Sequence, residues 1–550
     1  MTTGSDVVLQ ILHEAGVQHI FGNPGSTEAP FMHALTASSA APDYVLGLQE
    51  ATVVGMADGY ATITRKPAFV NLHTVAGVGN GVGNLSNART NMAALVVTAG
   101  QPDLRQDVAE PFLGGDPDAI AAPAVKWARR VNRASDLAVI LRRAFHEAAL
   151  TPAGPVFVGL PTNVLDEETD PPDPPSIERA HEVVPTQLDE LTRLLIEPDP
   201  GQLAVVAGDE VVDSGAAPSL IALAECLGAQ VYGAPLGGRG VFPPDHPLWR
   251  GTMPSTLEGI RRTLATFKRV VLLGGNVLML YPYSPGHLVV DGVELIQISS
   301  DARQLGRSWG VRYAAQGDLA PTLVRLIDAL NNSRLDRAAV AAVIDKRRTE
   351  REAEIAQRDG TAQKRYSSEP IHPMAAVHAL LKAMPKDILL VDEAVSAGAY
   401  IRGFHRPTRP GRYFFCRGGG LGWGMPAAVG ISLGARAEKV LCVVGDGSAC
   451  YSPQALWTAA SRRLPVVFAV LDNSGYEILR GGLRDRLGGN KEAALIGTEI
   501  TGPRIEFRQL AAAFGVATTR VDRADEIGDV VALAMKSDEP QLVHIPVASS

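Results

Sequence analysis

The sequence predicts an α/β protein made of three doubly wound domains, each built on a parallel sheet. The first observation is length, because 550 residues suffice for three or four domains of about 150 residues each. The second is pattern, since apolar runs of strand length alternate with helical segments along the chain, which is typical of parallel sheets. The third is composition: 46% hydrophobic residues, 5% aromatic residues and 55 glycines favour layers that pack through small side chains.

Two polar, proline-bearing segments are predicted to divide the chain. Residues 161–185 contain the run DEETDPPDPP, which is dense in acid and proline and predicts an extended linker. A charged helix over residues 337–358 is expected to lead into a second linker over residues 360–373. The predicted domains are therefore residues 1–165, 186–335 and 374–550.

In the first domain, three polar side chains each follow the carboxyl end of a predicted strand. The strands are predicted at residues 19–21, 44–48 and 67–72, and the side chains are Ser26, Glu50 and His73. Functional groups of open parallel sheets collect at such ends. Structural interpretations remain open, because Ser26 could cap a helix, Glu50 could favour a helix dipole and His73 could be a buried core histidine. The glycines between residues 77 and 83 are too irregular for a dinucleotide-binding loop.

The second domain has two buried strands that end in glycine, over residues 204–208 and 270–275. These ends are similar to nucleotide-binding turns, but a plain turn from strand to loop is the favoured interpretation. In the third domain, a glycine-rich turn over residues 414–426 leads into a helix. Residues 483–499 are polar and contain glycine, and we expect them to form a mobile lid.

The most informative stretch, residues 445–476, predicts a βαβ unit. A strand over residues 440–444 ends at a Gly-Asp-Gly sequence, and Ser452 is predicted to cap the helix that follows. A second strand over residues 466–471 ends just before Asn473. Both strand ends of such a unit face the same crevice, where parallel sheets bind ligands.

Oxygen atoms of different kinds are expected to converge in this crevice. Asp446 offers a carboxylate, Asn473 an amide oxygen, and the turn at Gly475 a backbone carbonyl. This mixture suits Mg²⁺, which keeps few protein ligands and shares its coordination shell with phosphate groups. The glycines around Asp446 let backbone N–H groups approach those phosphates.

Charge, cysteines and hydropathy limit the other classes of function. The net charge is −8 and no run of Lys or Arg is present, which argues against nucleic acid as a partner. The four cysteines, at positions 226, 416, 442 and 450, lack metal-ligand spacing and are expected to be free thiols in a reducing compartment. We find no signal peptide and no apolar run of about 18 residues, so we expect a cytoplasmic protein without membrane contact.

Long segments of the chain resemble the thiamine diphosphate-dependent 2-oxoacid decarboxylase and acetolactate synthase superfamily, above all the benzoylformate decarboxylases. The segments are FGNPGSTEAPF, LQEATVVGMADGYA, KPAFVNLHTVAGVGN, YFFCRGGGLGWGMPAAVG and GDGSACYSPQALWTAA. The resemblance covers the whole chain, in the order pyrimidine-binding, middle and diphosphate-binding domain.

The resemblance implies a role for each of a set of residues. Glu50 would activate the aminopyrimidine ring, with His73 and Ser26 as the other catalytic residues. The implied metal ligands are Asp446, Asn473 and Gly475. The implied cofactor contacts are Ser396, Gly420, Leu421, Gly445, Gly447, Ser448 and Tyr476. The implied substrate pocket contains Tyr281, Phe415, Arg417 and Leu479.

Two of these positions depart from the pattern of the benzoylformate decarboxylases. Tyr281 aligns with a second active-site histidine of that family, and His287 lies six residues further on. Arg417 stands where the family has a small residue. Both changes concern the substrate and the protonation step, and the sequence leaves open which residue replaces the histidine.

The resemblance implies an enzyme that decarboxylates a 2-oxoacid with an aryl or bulky substituent to an aldehyde and CO₂. It implies thiamine diphosphate and Mg²⁺, with Ca²⁺ able to substitute, whereas FAD is not expected. It also implies a homodimer or homotetramer with active sites at subunit interfaces. Two alternatives stay open: a carboligase like acetolactate synthase, which could hold FAD in residues 186–335, and a non-catalytic subunit that binds thiamine diphosphate.

Overall fold

The computed structural model describes residues 2–170, 182–288, 290–436, 438–488 and 495–549. Its architecture is three six-stranded, all-parallel sheets with helices on their faces. The predicted fold class is thereby confirmed. No helix within the described ranges is long and apolar enough to span a membrane.

The first sheet has the strand order β2-β1-β3-β4-β6-β5. Its strands are β1 (His19–Gly22), β2 (Asp43–Leu46), β3 (Ala68–His73), β4 (Leu95–Gln101), β5 (Ala128–Arg130) and β6 (Val156–Pro161). Its helices are α1 (Gly4–Glu14), α2 (Ala29–Ala37), α3 (Glu50–Thr64), α4 (Thr74–Asn91), α5 (Pro117–Ala121), α6 (Ala134–Ala149) and α7 (Thr162–Asp166). The order reverses between β1 and β3, which is where open α/β sheets form a ligand crevice.

The second sheet has the order β12-β11-β10-β7-β8-β9. Its strands are β7 (Leu203–Ala207), β8 (Gln230–Gly233), β9 (Trp249–Thr252), β10 (Arg269–Leu273), β11 (Glu294–Ser299) and β12 (Tyr313–Gln316). Its helices are α8 (Leu188–Ile196), α9 (Glu210–Asp213), α10 (Ala217–Leu227), α11 (Leu257–Leu264) and α12 (Leu319–Asn331). The long helix α13 (Arg337–Gln363) then connects this domain to the third.

The third sheet has the order β14-β13-β15-β16-β18-β17. Its strands are β13 (Leu389–Glu393), β14 (Tyr413–Phe415), β15 (Val440–Gly445), β16 (Val466–Asp472), β17 (Ala517–Arg520) and β18 (Gln541–Pro546). Its helices are α14 (Pro373–Lys382), α15 (Gly398–Phe404), α16 (Gly424–Gly434), α17 (Asp446–Ala449), α18 (Ala455–Ser461), α19 (Glu477–Arg486), α20 (Phe507–Ala513) and α21 (Ile527–Ala534). Here the order reverses between β13 and β15.

The first and third domains share one hydrophobic core, in which α3 packs against α16. The two helices approach so closely that a Cβ atom on Gly430 would lie 1.8 Å from the Met56 carbonyl oxygen. A side chain at position 430 would therefore force the helices apart. The high content of Gly and Ala thus brings two domains together as well as packing each sheet.

Several predicted boundaries were wrong. The second linker is partly helical, because α13 continues to Gln363 and buries Ala362. Ser452 does not cap a helix, since α18 begins only at Ala455 and the Ser452 hydroxyl donates to the Gly422 carbonyl (2.8 Å).

Two other segments singled out in the sequence, the glycines at residues 77–83 and the predicted lid, are partly helical. The glycines between residues 77 and 83 belong to helix α4. The first residues of the predicted lid are the last turn of α19, and Gly475 forms an isolated antiparallel bridge with Glu499. Residues 489–494 of the lid and residues 171–181 of the first linker lie outside the described residues.

The four cysteines are free thiols, as expected, and Cys416 and Cys442 are buried.

Candidate active site

His73, the last residue of β3, is held by a buried carboxylate. Its Nδ1 atom lies 2.8 Å from Glu28 Oε2 and 3.1 Å from Thr27 Oγ1. Glu28 is only 1% exposed, and it also accepts hydrogen bonds from the backbone N–H groups of Gly25 (2.8 Å) and Gly100 (2.7 Å). Since a carboxylate only accepts, Nδ1 must donate, and Nε2 of neutral His73 is left with a free lone pair.

The other two predicted catalytic residues lie at the same edge of the first sheet. Glu50 is the first residue of α3, after β2, and its Oε2 accepts a hydrogen bond from Asn80 Nδ2 (3.1 Å). Ser26 is exposed and opens a short 3₁₀ helix, Ser26–Glu28, after β1. The parallel pairing of β2, β1 and β3 places these side chains and His73 at three adjacent strand ends.

The predicted metal ligands converge at the ends of β15 and β16. Asp446 is 3% exposed, and its two carboxylate oxygens accept from the backbone N–H groups of Gly447 and Gly475, each at 2.9 Å. Asn473 Oδ1 is buried and has no hydrogen-bond partner among the described residues. A buried oxygen without a partner costs about 1–3 kcal/mol, and a bound cation would remove that cost. The donor set therefore fits a magnesium ion.

The turns beside these ligands also fit phosphate groups. Gly445 caps the one-turn helix α17, which begins at Asp446 and contains Gly447 and Ser448. A Cβ atom on Gly447 would lie 2.6 Å from the Tyr476 ring, so this position has no room for a side chain. Backbone N–H groups are thus accessible at the start of a helix, where anions are favoured.

A second carboxylate, that of Asp472, affects the pKa of Asp446. Asp472, the last residue of β16, lies beside it, and its Oδ2 is 2.9 Å from Nε2 of the buried His544. Burial, together with the nearby Asp472 carboxylate, raises the pKa of Asp446 to about 6. A divalent cation would offset this cost, because it stabilises both negative charges.

Four asparagines on one face of α4 connect the first domain to the glycine-rich turn of the third domain. Besides the contact of Asn80 with Glu50, Asn84 Nδ2 donates to the carbonyls of Ala51 (2.7 Å) and Gly422 (3.4 Å). Asn87 donates to the Gly420 carbonyl (3.0 Å) and accepts from its N–H (3.1 Å). Asn91 Oδ1 accepts from the backbone N–H of residue 417 (3.0 Å). The glycine-rich turn of the third domain is therefore bound to the first domain through its main chain.

The remaining predicted cofactor contacts lie at the ends of β13 and β14. Ser396 is exposed in the turn after β13, and Leu421 is half-buried next to the exposed Gly420. Glu393, at the end of β13, accepts a hydrogen bond from the Trp423 backbone N–H (2.9 Å), and burial raises its pKa to about 8. A neutral carboxylic acid therefore lies beside this part of the site.

The predicted substrate-pocket residues do not form one cluster in the single chain. Arg417 Nη2 donates to the Asn276 carbonyl (3.2 Å) of the second domain, and its Nε lies 3.6 Å from Asp209. Phe415 is half-buried at the end of β14. Tyr281 is 68% exposed and Leu479 is 51% exposed. The side chain of Arg417 thus contributes to an interdomain contact, which the sequence did not predict.

Sequence reasoning missed Glu28, Asp472 and the asparagines of α4. The asparagines had a detectable pattern, because positions 80, 84, 87 and 91 recur at the spacing of one helix face. Glu28 follows Ser26 closely, but its partner His73 lies 45 residues away. No local pattern links two such residues.

Comparisons with known proteins agree with this three-domain α/β architecture. Residues 2–120 match the N-terminal TPP binding domain of thiamine pyrophosphate enzymes, residues 201–326 the central domain, and residues 396–545 the C-terminal TPP binding domain. Benzoylformate decarboxylase of Pseudomonas aeruginosa is 32% identical over 99% of both chains. The chain belongs to the thiamine pyrophosphate enzyme family, and the resemblance inferred from its motifs is confirmed.

Two further relatives show the range of this family. The solved structure of the thiamine diphosphate-dependent 4-hydroxybenzoylformate decarboxylase of Rhodococcus jostii RHA1 superposes with a TM-score of 0.88 at 29% identity, covering 100% of this chain and 99% of the other. The acetolactate synthase large subunit of Lactococcus lactis is 24% identical, over 100% of this chain and 93% of its own length. Decarboxylases and carboligases are therefore both among its relatives.

Proposed function

We propose that this protein decarboxylates a 2-oxoacid with an aryl or similarly bulky substituent, giving an aldehyde and CO₂. The observation that carries the proposal is the Glu28–His73 pair, because it provides an oriented proton carrier at the same edge of the first sheet as the Glu50 carboxylate. The 32% identity with a benzoylformate decarboxylase supports the aryl substrate.

Thiamine diphosphate and Mg²⁺ are the proposed cofactors. Asp446, Asn473 and the Gly475 carbonyl would hold the metal, and the backbone at Gly445, Gly447 and Ser448 would bind the diphosphate. Further proposed contacts come from Ser396, Gly420, Leu421 and Tyr476. When bound, thiamine diphosphate supplies a nucleophilic carbon and an electron sink for the loss of CO₂.

The residues of this chain would then orient groups and move protons. The Glu50 carboxylate would share a proton with the pyrimidine ring at Oε1, while Asn80 Nδ2 fixes Oε2. His73 Nε2 would bind the substrate carboxylate when protonated and return a proton to the product carbon afterwards. Ser26 would donate a hydrogen bond to the substrate, and Leu479 and Phe415 would form apolar walls of the pocket.

We propose that two copies of the chain complete each active site. Large apolar side chains are exposed close to both halves of the site: Leu46 and Leu48 precede Glu50, and Ile478 and Leu479 follow Asn473. Such side chains are typical of surfaces that are covered in an assembly. A homodimer would bring Glu50 of one copy to the metal end of the other, and a homotetramer is compatible with the same contact.

The proposal is tested by Glu50→Gln together with a panel of 2-oxoacids. With thiamine diphosphate and Mg²⁺, we expect the wild-type protein to release CO₂ and an aldehyde from benzoylformate faster than from pyruvate. Glu50→Gln should still bind thiamine diphosphate, measured by calorimetry, but release no CO₂. The exposed Glu110→Gln is the matched control. A fully active Glu50→Gln protein would contradict the proposal.

A carboligase is the second candidate function, because acetolactate synthase subunits are among the relatives and a tyrosine occupies position 281. In this case pyruvate would yield a C–C coupled product instead of an aldehyde. Bound flavin in the purified protein would support this alternative. Binding of thiamine diphosphate without turnover of any 2-oxoacid would instead indicate a non-catalytic subunit.

A further inference from the structure

A cavity of about 710 Å³ lies where the second domain, the connector helix α13 and helix α15 meet. It is lined by the ends of β8 and β9 and by the loop between them, by residues of α13, and by residues 398–404 of α15. None of the residues proposed above to bind cofactor or substrate lines it. The cavity is therefore a separate feature of the molecule.

The cavity is strongly cationic in a chain whose net charge is −8. Its lining contains more arginines than carboxylates, namely Arg239, Arg250, Arg351, Arg358 and Arg402 against Asp209 and Glu354. Positive charges gathered in a cleft raise the local concentration of anions. The excess of arginine thus points to a negatively charged ligand.

Three of the arginines are already neutralised by carboxylates. Arg250 and Arg351 share Glu354, at 3.2 and 3.0 Å, and Arg239 lies 3.4 Å from Asp213. Because Glu354 carries a single charge, it offsets only one of the two guanidinium groups that share it, so these pairs explain the positions of the three groups but not all of their charge. The remaining two arginines lie outside these pairs.

Arg358 and Arg402 form no ion pair within the part of the chain that the structure describes. Arg358 Nη1 donates only to the Gly403 carbonyl (3.1 Å), and burial, with the nearby Arg351 and Arg406, lowers its pKa. Arg402 lies over the Phe415 ring at 4.8 Å, and although Tyr413 and the Asp392 carboxylate raise its pKa, its Nη2 is buried without a hydrogen-bond partner among the described residues. The N–H groups of this nitrogen are therefore available to an anionic ligand.

The wall of the cavity also offers apolar and aromatic surface. Phe242 and Phe404 are buried, and Trp249, Tyr400 and Met374 also line the space. Small-molecule sites of this volume combine such surface with a few charged groups that fix the orientation of the ligand. An inorganic ion alone would leave most of this surface without a partner.

We propose that this cavity binds a small organic anion, in which a carboxylate or phosphate group is carried on an apolar or aromatic body. The guanidinium groups of Arg358 and Arg402 would bind the anionic group, since their planar donors match its oxygens. The aromatic side chains would bind the body. This site is independent of the reaction that the protein catalyses.

The test uses the full-length protein saturated with thiamine diphosphate and Mg²⁺, so that the proposed diphosphate site is filled. Phenyl phosphate is the probe, and its dissociation constant is measured by calorimetry. We expect Arg358→Gln to weaken binding at least tenfold. The matched control is Arg348→Gln on the same helix, whose side chain is 57% exposed, and it should bind as the wild type does.

A second measurement keeps the test decisive if Arg358→Gln fails to fold. Arg402→Gln removes the second guanidinium group proposed to bind the anion and should also weaken the binding of phenyl phosphate. The proposal is overturned if the wild type does not bind phenyl phosphate, or if the folded variants among Arg358→Gln and Arg402→Gln bind it as tightly as the control. Equal affinity for inorganic phosphate and phenyl phosphate would overturn the assignment of an organic ligand.

Discussion

The buried Glu28 carboxylate determines which nitrogen of His73 is available for chemistry. Three hydrogen-bond donors besides His73 approach this carboxylate: the N–H groups of Gly25 and Gly100, and the Thr27 hydroxyl at 2.9 Å. Its position is therefore fixed by a neighbouring hydroxyl and by backbone groups of the turn after β1 and of strand β4. An imidazole oriented in this way presents Nε2 to the open edge of the sheet, which is the arrangement that a proton carrier needs.

Glu28→Gln tests this positioning role. The amide keeps the size of the side chain but has one acceptor oxygen instead of two, so it cannot accept from both His73 Nδ1 and the Gly100 N–H, and its control of the His73 tautomer weakens. We expect the turnover number to fall roughly 10²-fold, with little change in the affinity for thiamine diphosphate. Steady-state kinetics should also show that the turnover number depends on pH differently in the variant and in the wild type.

A loss of thiamine diphosphate affinity equal to the loss of activity would show that Glu28 only supports the fold. Glu110→Gln, in the same domain, is the matched control and should leave both quantities unchanged.

At the scale of elements, α4 connects the first domain to the glycine-rich turn before α16. Its asparagines bind main-chain atoms of residues 417–422, while α3 and α16 pack directly against each other. Main-chain recognition fixes the path of this turn without constraining each of its side chains. The helix therefore fixes the position of this turn relative to the first domain.

Asn87→Leu tests the contribution of this helix. The substitution removes both hydrogen bonds to Gly420, and because water can reach this exposed residue, each lost bond should cost about 0.5–1.5 kcal/mol. Chemical unfolding should show this loss, and calorimetry should show weaker binding of thiamine diphosphate. Ser86→Ala, on the exposed face of α4, is the control, and an equal effect of both variants would contradict the prediction.

The Glu393 carboxyl group makes the contact between β13 and α16 sensitive to pH. Its folded pKa of about 8, against an ordinary value of 4.5, means that the folded protein binds this proton more tightly than the unfolded chain. The stability from this group is fully present below about pH 4.5 and is lost as the pH rises towards 8.

We therefore expect Glu393→Gln to reduce the fall in the unfolding midpoint between pH 6 and pH 9. Differential scanning calorimetry of both proteins, with and without thiamine diphosphate, measures this difference. Parallel curves for the two proteins would show that Glu393 is ionised in the fold.

The sequence predicted the elements better than their contacts. Buried parallel strands are nearly continuous apolar runs, so Asp446, Asn473, Glu50 and His73 could all be placed at strand ends. The order of strands then explains why they gather at sheet edges. The contact of Glu28 with His73 depends on the packing of a short 3₁₀ helix against the end of β3, and no single segment of sequence records it.

The predicted end of helix α13 was wrong for a related reason. Gly360 suggested the end of a helix, but burial of Ala362 against the third domain carries α13 to Gln363. Tertiary packing outweighed a local cost of about 1 kcal/mol for glycine in a helix. Tertiary packing also explains the contact of Arg417 with the Asn276 carbonyl in the second domain, which the residues next to Arg417 in the sequence do not predict.

At the scale of the whole molecule, the predicted catalytic groups and the predicted metal ligands belong to different domains. Glu50 and His73 lie at the edge of the first sheet, and Asp446 and Asn473 lie at the edge of the third. In a symmetric pair of chains, each first-domain edge can face the third-domain edge of the partner. Exposed apolar side chains near both edges support such a pairing.

Complementation between two inactive variants tests this assembly. Coexpressed Glu50→Gln and Asp446→Ala chains would form mixed dimers in which one of the two sites has both residues intact. With random pairing, about half of the dimers are mixed, so about a quarter of the wild-type activity should return. If each site lies within one chain, the mixture should be as inactive as the separate variants, which also serve as controls.

The asparagine face of α4 has a consequence for how such a protein can change its specificity over evolutionary time. Because Asn87 and Asn91 bind the backbone of residues 420 and 417 rather than the side chains at positions 417 and 421, mutations that alter those side chains leave these hydrogen bonds in place. Single substitutions at these two positions could therefore change the substrate preference, while the backbone of the turn keeps its path. An arginine at position 417, where the resemblance to the benzoylformate decarboxylases implies a small residue, would be a change of this type.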